Sequence, residues 1–141
     1  MSSLIPQYTK NKNKGYIVES GSNENGYYTK FSNGDLICRR STTKDAYKTS
    51  TSYNVTVQNI KIYRSNVFTW NYPVQFAQVP TLQVCVATGI NGSRFCLGRL
   101  NGAPSASSVQ VQLLALEDFI ENGVGYTNLE KVDLVAIGKW K

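Results

Sequence analysis

The sequence has no histidine and only nine carboxylates among its 141 residues. Without histidine there is no usual Ser-His-Asp triad, and both the commonest metal ligand and the easiest general base near neutral pH are missing. Charged residues make up 17% of the chain, below the roughly 25% that is typical of soluble domains. No stretch approaches the roughly 18 consecutive apolar residues that a membrane span needs, so we expect no membrane insertion.

The remaining acidic and glycine-rich segments do not form a recognisable catalytic pattern. Glu117, Asp118 and Glu121 cluster locally and could supply a glycosidase-like acid and base, but we favour the interpretation that they solvate a loop. The glycines of Gly89-Ile90-Asn91-Gly92 and Gly123-Val124-Gly125 have turn chemistry and do not lead from a strand into a helix, as a phosphate loop requires. We therefore expect no enzyme activity, no cofactor and no metal site.

The three cysteines, Cys38, Cys85 and Cys96, leave an odd number and lack metal-ligand spacing. We expect free, buried thiols in a protein made in a reducing cytosol. The N-terminus lacks the apolar segment of a signal peptide, so we expect that secretion is not its route out of the cell.

The net charge is +6, and the sequence pI is near 9.3. One interpretation is a solvated basic face, and the other is attraction to an anionic partner such as nucleic acid, phosphorylated lipopolysaccharide or acidic capsule. We rank nucleic acid last, because no nucleic-acid-binding motif is recognisable. The early basic residues are Lys10, Lys12, Lys14, Lys30, Arg39, Arg40, Lys44 and Lys48.

Two β-rich runs, Tyr27–Phe31 and Leu36–Cys38, flank Asn33-Gly34. Asn-Gly between such runs is the strongest short-range hairpin signal, because a type I′ turn needs positive φ at both central residues. The pattern predicts a hairpin with Asn33-Gly34 at its centre.

A second hairpin is predicted from Thr81–Thr88 and Ser93–Arg99 around Asn91-Gly92. Centring the turn on that dipeptide places Val86 opposite Leu97. The other face would then carry Cys85, Ala87 and Cys96, and we expect it to pack on another sheet or subunit.

Four further segments are interpreted by their alternation of apolar and polar residues. Ser108–Leu116 and Val132–Trp140 alternate with period two and predict strands. Within Tyr53–Arg64 the apolar positions change parity, which predicts a bulge or break near Gln58-Asn59. Glu19–Gly26 has the composition of a loop.

No segment shows a sustained helical period, although Glu117–Glu121 could form one helical turn. Several short strands separated by Gly, Pro and Asn predict an all-β fold, an antiparallel β-sandwich. We expect an N-terminal arm or linker over residues 1–21 and the domain itself over residues 22–141.

Binding chemistry is present where catalytic chemistry is absent. Aromatic rings stack on the apolar faces of sugars, while Asn and Arg donate hydrogen bonds to hydroxyls, and such groups commonly meet in loops on a rigid scaffold. The alternative is that aromatics such as Phe68 and Tyr72 are core or subunit-interface residues. The candidate ligand-binding residues are Tyr63, Arg64, Phe68, Trp70, Tyr72, Arg94, Tyr126 and Asn128.

Three separated segments together resemble the C-terminal receptor-binding head of bacteriophage tail fibres, including prophage and tailocin fibres. Gly26–Cys38 is similar to the family's GxYxKxxNGxxI hairpin, Tyr72–Pro80 to its (F/Y)PxxFxxxP motif, and Ala136–Trp140 to its AIGxW ending. Their order and spacing agree over roughly residues 20–141. Arg39 departs from the pattern, since many relatives carry Trp or another large apolar residue there.

The resemblance implies a sandwich like that of H-type lectins, assembled as a homotrimer at the end of a fibre stalk to which residues 1–21 lead. It implies binding of a host-surface glycan or protein receptor during adsorption. It also implies a place at the distal tip of a fibre on the virion, after synthesis in the host cytoplasm and release by lysis. Two alternatives remain open: a trimerisation and folding cap that binds nothing, and an enzyme that degrades surface polysaccharide.

Overall fold

The computed structural model describes residues 15–55, 60–89, 96–119 and 129–141, with backbone only for residues 50–55 and 60. These residues form strands and one short 3₁₀ turn, Lys44–Tyr47, with no α-helix in the described ranges. The all-β prediction is confirmed. The strands are β1 (Ile17–Asn23), β2 (Gly26–Phe31), β3 (Asp35–Thr43), β4 (Ser50–Val55), β5 (Ile60–Ser65), β6 (Phe68–Asn71), β7 (Thr81–Thr88), β8 (Cys96–Leu100), β9 (Ser108–Ala115) and β10 (Leu129–Lys139).

The strands form two antiparallel sheets with a sandwich-like arrangement. The first sheet has the order β1-β2-β3-β10-β7. In the second sheet β9 pairs with β8 along one edge, and β5 and β6 share the other edge one after the other. Ser65 fills the gap between β5 and β6, because its hydroxyl accepts from the amide of Leu113 at 2.9 Å.

The core lies between the two sheets, and the two cleanest alternating segments supply much of it. In β10 the inward side chains are Val132, Leu134 and Ala136, and β9 contributes residues such as Val111 and Leu113. Full burial of each Val or Leu is worth about 1.5–3 kcal/mol. The predictions of strands over Ser108–Leu116 and Val132–Trp140 are confirmed, and their inward faces are the apolar ones.

The first hairpin is confirmed, but its turn lies one residue earlier than predicted. The amide of Gly34 donates to the carbonyl of Phe31 at 3.0 Å, so Ser32 and Asn33 are the central residues. Gly34 follows at φ 95°. This is the three-residue loop in which a turn is followed by a glycine at positive φ. Gly34 is needed for its positive φ, but it follows the two central residues of the turn and is not one of them, as a type I′ turn would require.

Glu19–Gly26 was predicted to be a loop, and this prediction is wrong over most of its length. β1 pairs with β2 from Ile17 to Asn23, so the first sheet begins five residues before the predicted start of the domain at 22. β1 is an edge strand whose side chains are mostly exposed. Because it buries almost nothing, it needs no apolar face, and composition could not reveal it.

Of the bulge or break predicted within Tyr53–Arg64, the structure shows a break, because the segment contains two separate strands. β4 and β5 pair antiparallel, with Val55 opposite Ile60. The predicted bulge position, Gln58-Asn59, lies outside the described residues. Two adjacent strands that run in opposite directions can each alternate correctly while the combined sequence changes parity.

The predicted pairing of β7 with β8 is wrong. β7 pairs with β10 in the first sheet, whereas β8 pairs with β9 in the second, and Leu97 lies opposite Leu114 instead of Val86. The predicted turn at Asn91-Gly92 lies outside the described residues. Antiparallel partners need not be neighbours in sequence, and β7 pairs with β10 from the end of the chain, whereas β8 pairs with β9, the strand that follows it.

The cysteines only partly match the prediction of buried thiols. Cys38 is buried in the core, and burial raises its pKa to about 11. Cys96 is half-buried, and burial raises its pKa to about 11 as well. Cys85 is exposed on β7, so the prediction is wrong for this residue. All three are free thiols.

The three segments that carry the family resemblance meet at one end of the first sheet. Ala136–Trp140 lies beside the first hairpin, where the indole Nε1 of Trp140 donates to the carbonyl of Phe31 at 2.9 Å. From the Tyr72–Pro80 segment, the amide of Ala77 donates to the carbonyl of Lys139 at 2.7 Å. The segments therefore depend on one another structurally.

A close contact holds this junction together. A Cβ on Gly138 would lie 2.9 Å from the ring of Phe76. Phe76 in turn packs edge-on against Tyr72, with ring centroids 5.1 Å apart. Gly138, in the AIGxW-like ending, thus leaves space for the ring of Phe76, which belongs to the second motif.

Candidate functional site

The structure places Trp70 and Tyr72 in the core. Trp70 has no exposed surface, Tyr72 is almost fully buried, and their rings meet edge-on at 5.1 Å. Burial raises the pKa of the Tyr72 hydroxyl to about 12. Neither ring has an open face on which a sugar could stack. Both are core residues, which is the alternative interpretation that the sequence left open for the aromatics.

Three other predicted residues lie on strands instead of in loops. Tyr63 and Arg64 belong to β5 and are partly buried, and Lys61 lies 5.9 Å from the centroid of the Tyr63 ring. Phe68 opens β6, where its ring packs 5.9 Å from that of Tyr47. The remaining predicted residues, Arg94, Tyr126 and Asn128, lie outside the described residues.

A different set of residues forms an open cavity of about 460 Å³ on the outer face of the first sheet. It spans β2, β3 and β10, three adjacent strands. Its lining combines one exposed aromatic ring with both signs of charge. The lining residues are Tyr27, Arg39, Arg40, Ser41, Lys131, Asp133, Leu134 and Val135.

Strand register builds this cavity. Arg39 lies opposite Tyr27 on one side and opposite Val135 on the other, so these three form a row across the sheet. Ser41 lies opposite Asp133 in the next outward row. Side chains directly opposite each other share a face with Cβ atoms about 4.5–5.5 Å apart. The pairing therefore gathers groups from distant parts of the chain.

Asp133 is a fixed acceptor in this cavity. The hydroxyl of Ser41 donates to Oδ1 of Asp133, and the ammonium of Lys131 lies 3.0 Å from Oδ2. The hydrogen bond from Ser41, followed by that from Lys131, holds the pKa of Asp133 below its usual value. The carboxylate is thus ionised at neutral pH and held in one orientation.

Tyr27 is an exposed ring on a well-anchored piece of backbone. Its side chain is 62% exposed. Two residues earlier, the carbonyl of Asn25 accepts from the indole Nε1 of Trp70 at 2.8 Å. The side chain of Asn23 donates to the carbonyl of Pro73 at 3.0 Å. The β1–β2 turn is therefore tied to the core immediately before Tyr27.

The side chains of Arg39 and Arg40, neighbours on β3, point to opposite faces of the first sheet. The guanidinium of Arg40 lies 5.1 Å from the centroid of the Phe68 ring, where it is held by a cation–π contact. Arg39 is exposed, and no hydrogen bond or ion pair joins its side chain to the part of the chain that the structure describes. Arg39 is thus available to an external group.

Within residues 15–55, 60–89, 96–119 and 129–141 there is no cluster of His, Cys, Asp and Glu that could hold a metal ion. In the same ranges no helix has the length and hydrophobicity to cross a membrane. Glu117 and Asp118 follow β9 in a non-helical segment, which does not form the predicted helical turn there. Glu121, the third member of that acidic group, lies outside the described residues.

Sequence reasoning missed this cavity because it assigned the first hairpin to the scaffold alone. One available signal was the outward position of Tyr27 and the arginine at position 39, which breaks the apolar pattern of the resembling family. The contribution of Asp133 had no local signal, because its partner Ser41 is far away in sequence. Comparison with family models, curated proteins and solved structures finds no match for this chain.

Proposed function

We propose that this domain is the receptor-binding head of a bacteriophage-type tail fibre and that it binds a host-surface glycan through the Tyr27 cavity without transforming it. The observation that carries the proposal is the grouping of an exposed tyrosine ring, an available arginine and a fixed carboxylate on one sheet face. The resemblance of the three segments to fibre heads supports it, as does their meeting in one structural unit. In this role the protein acts at the distal tip of the virion fibre during adsorption.

The chemistry of the cavity suits a saccharide. The exposed face of Tyr27 can stack on the apolar face of a sugar ring, and such aromatic contacts dominate small binding sites. Asp133 accepts hydrogen bonds from hydroxyls, while Arg39 donates. Because Ser41 and Lys131 already orient the carboxylate, little ordering is needed on binding.

Replacing Tyr27 by Ala tests the proposed function. We expect host-cell adsorption and glycan affinity to fall about tenfold, since aromatic contacts of this kind contribute on the order of 1 kcal/mol beyond the area that they bury. The matched control is Tyr16→Ala, which removes a similarly exposed tyrosine, 50% accessible, outside the cavity. Glycan arrays and adsorption to bacteria would be measured on both variants. Equal adsorption by wild type and Tyr27→Ala would contradict the assignment of the site.

The proposal includes a homotrimer, for which the outer face of the second sheet offers apolar surface. Leu97 on β8 is 53% exposed and lies opposite the half-buried Leu114, and Leu116, just after β9, is 48% exposed. Exposed apolar side chains grouped in this way are typical of interfaces between subunits.

We expect Leu97→Asp to convert a trimer into monomers, because it would place a charge in a desolvated contact. Native mass measurement gives the oligomeric state directly. The control, Thr81→Asp, adds the same charge at an exposed position of the first sheet, on β7. A wild-type monomer would contradict the fibre-head proposal.

The second candidate is a cap that only trimerises and ends the fibre, and the exposed leucines favour it equally. The two candidates differ in the Tyr27→Ala variant. A head loses adsorption while it stays trimeric, whereas a cap shows no adsorption that depends on Tyr27. Release of reducing sugar from host polysaccharide would instead favour the enzyme alternative.

A further inference from the structure

We propose that the ligand of the Tyr27 cavity is a saccharide with a single acidic group, whose carboxylate or phosphate binds Arg39 while its hydroxyls bind Asp133. This inference rests on the proposed glycan-binding function and adds the chemical class of the sugar. It follows from the positions of the charged side chains in the cavity and from the lack of a partner for Arg39 in the part of the chain that the structure describes.

Some charged side chains of the cavity have a partner within the protein, and one has none among the described residues. Lys131 and Asp133 form an ion pair at 3.0 Å, and Arg40 is held over Phe68. Arg39 has neither a carboxylate nor an aromatic partner among residues 15–55, 60–89, 96–119 and 129–141. One positive charge is therefore left without compensation. A guanidinium binds carboxylate and phosphate oxygens in a bidentate fork, with shorter and stronger hydrogen bonds than those to neutral groups.

The position of Arg39 defines where the acidic group lies. Arg39 is directly opposite Tyr27 in the β2–β3 register, and such side chains have Cβ atoms about 5 Å apart. A pyranose ring stacked on Tyr27 therefore places an exocyclic carboxylate or phosphate within reach of the guanidinium. With an acidic sugar, Arg39 therefore makes charge-assisted hydrogen bonds, whereas with a neutral sugar it could only donate to a hydroxyl.

Asp133 limits the ligand to one acidic end. It is two residues along β10 from Val135, the residue that faces Arg39, which corresponds to about 7 Å along the strand. Its pKa is held low by Ser41 and Lys131, so it is an anion at neutral pH. It accepts hydrogen bonds from hydroxyls, whereas a second acidic group would lie beside this carboxylate, which already engages Lys131. A monoacidic sugar satisfies both ends of the cavity, whereas a densely anionic polymer does not.

The test uses the full chain and matched small probes. The methyl glycoside of galacturonic acid is titrated beside its methyl ester, in which a neutral ester group replaces the carboxylate, and glucose 6-phosphate is titrated beside glucose. We expect the wild type to bind at least one acidic probe about tenfold more tightly than its neutral counterpart. The pair that shows the difference tells carboxylate from phosphate. Arg39→Gln should abolish this difference in affinity between each acidic probe and its neutral counterpart.

The control variant is Lys48→Gln, which removes one positive charge at an exposed position outside the cavity. It should retain the preference, because Lys48 does not line the cavity and salt at about 0.15 M weakens interactions between exposed charges. If Arg39→Gln keeps the preference, or if neutral and acidic probes bind equally in a Tyr27-dependent way, the inference is wrong and glycan binding stands. If neither these probes nor a glycan array shows Tyr27-dependent binding, the inference and the proposed function both fail.

Discussion

Replacing Trp70 by Ala should lower the free energy of unfolding by about 3–5 kcal/mol, the usual range for deletion of a buried tryptophan. The indole has no exposed surface and packs edge-on against Tyr72. It also donates to the carbonyl of Asn25 at 2.8 Å, so the substitution releases the β1–β2 turn as well. Urea denaturation followed by circular dichroism measures this loss.

The Trp70 variant also separates a core role from a ligand role. Trp70→Phe retains most of the ring volume and loses the indole N–H, so we expect a smaller loss of about 1–3 kcal/mol, mainly from the unsatisfied carbonyl. The contrasting variant is Tyr27→Ala, for which we expect unchanged stability and reduced glycan binding. If Trp70→Ala were as stable as wild type but failed to bind glycan, Trp70 would be a ligand residue and the core assignment would be wrong.

Replacing Gly26 by Ala should destabilise the domain by about 3 kcal/mol through two additive causes. Gly26 has φ 123°, a conformation that costs side-chain-bearing residues about 1–3 kcal/mol. A Cβ there would lie 2.3 Å from the carbonyl oxygen of Arg39, and this backbone atom cannot rotate away. Overpacking of this kind costs typically 1–3 kcal/mol. The same denaturation experiment applies.

A matched glycine isolates the two causes. Gly102 has φ 94°, but a Cβ there would meet nothing within 4 Å. Gly102→Ala therefore carries the conformational cost without the collision, and we expect a loss of only about 1 kcal/mol. The clash would also push β2 away from β3 beside Tyr27, so Gly26→Ala should weaken glycan binding as well. Equal destabilisation by the two substitutions would show that the contact with Arg39 contributes nothing.

Sequence patterns were sufficient wherever a structural rule acts between residues that are close in the chain. The period-two alternation of Ser108–Leu116 and Val132–Trp140 predicted both strands correctly. The Asn33-Gly34 dipeptide predicted a hairpin, because only a few residues tolerate positive φ. The all-β class followed from the absence of any helical period.

Only the tertiary structure decided which strands are partners and which faces become a site. The pairing of β7 with β10 joins distant parts of the chain, and β8 pairs with the following strand β9 instead of the preceding strand β7. Trp70 and Tyr72 are aromatic residues of the kind that binds sugars, yet both lie in the core. Arg39 and Asp133 share one face of the first sheet only because β3 and β10 pair in one register. Register depends on the summed contacts of whole strands, and a shift by one residue would turn every one of these side chains to the other face.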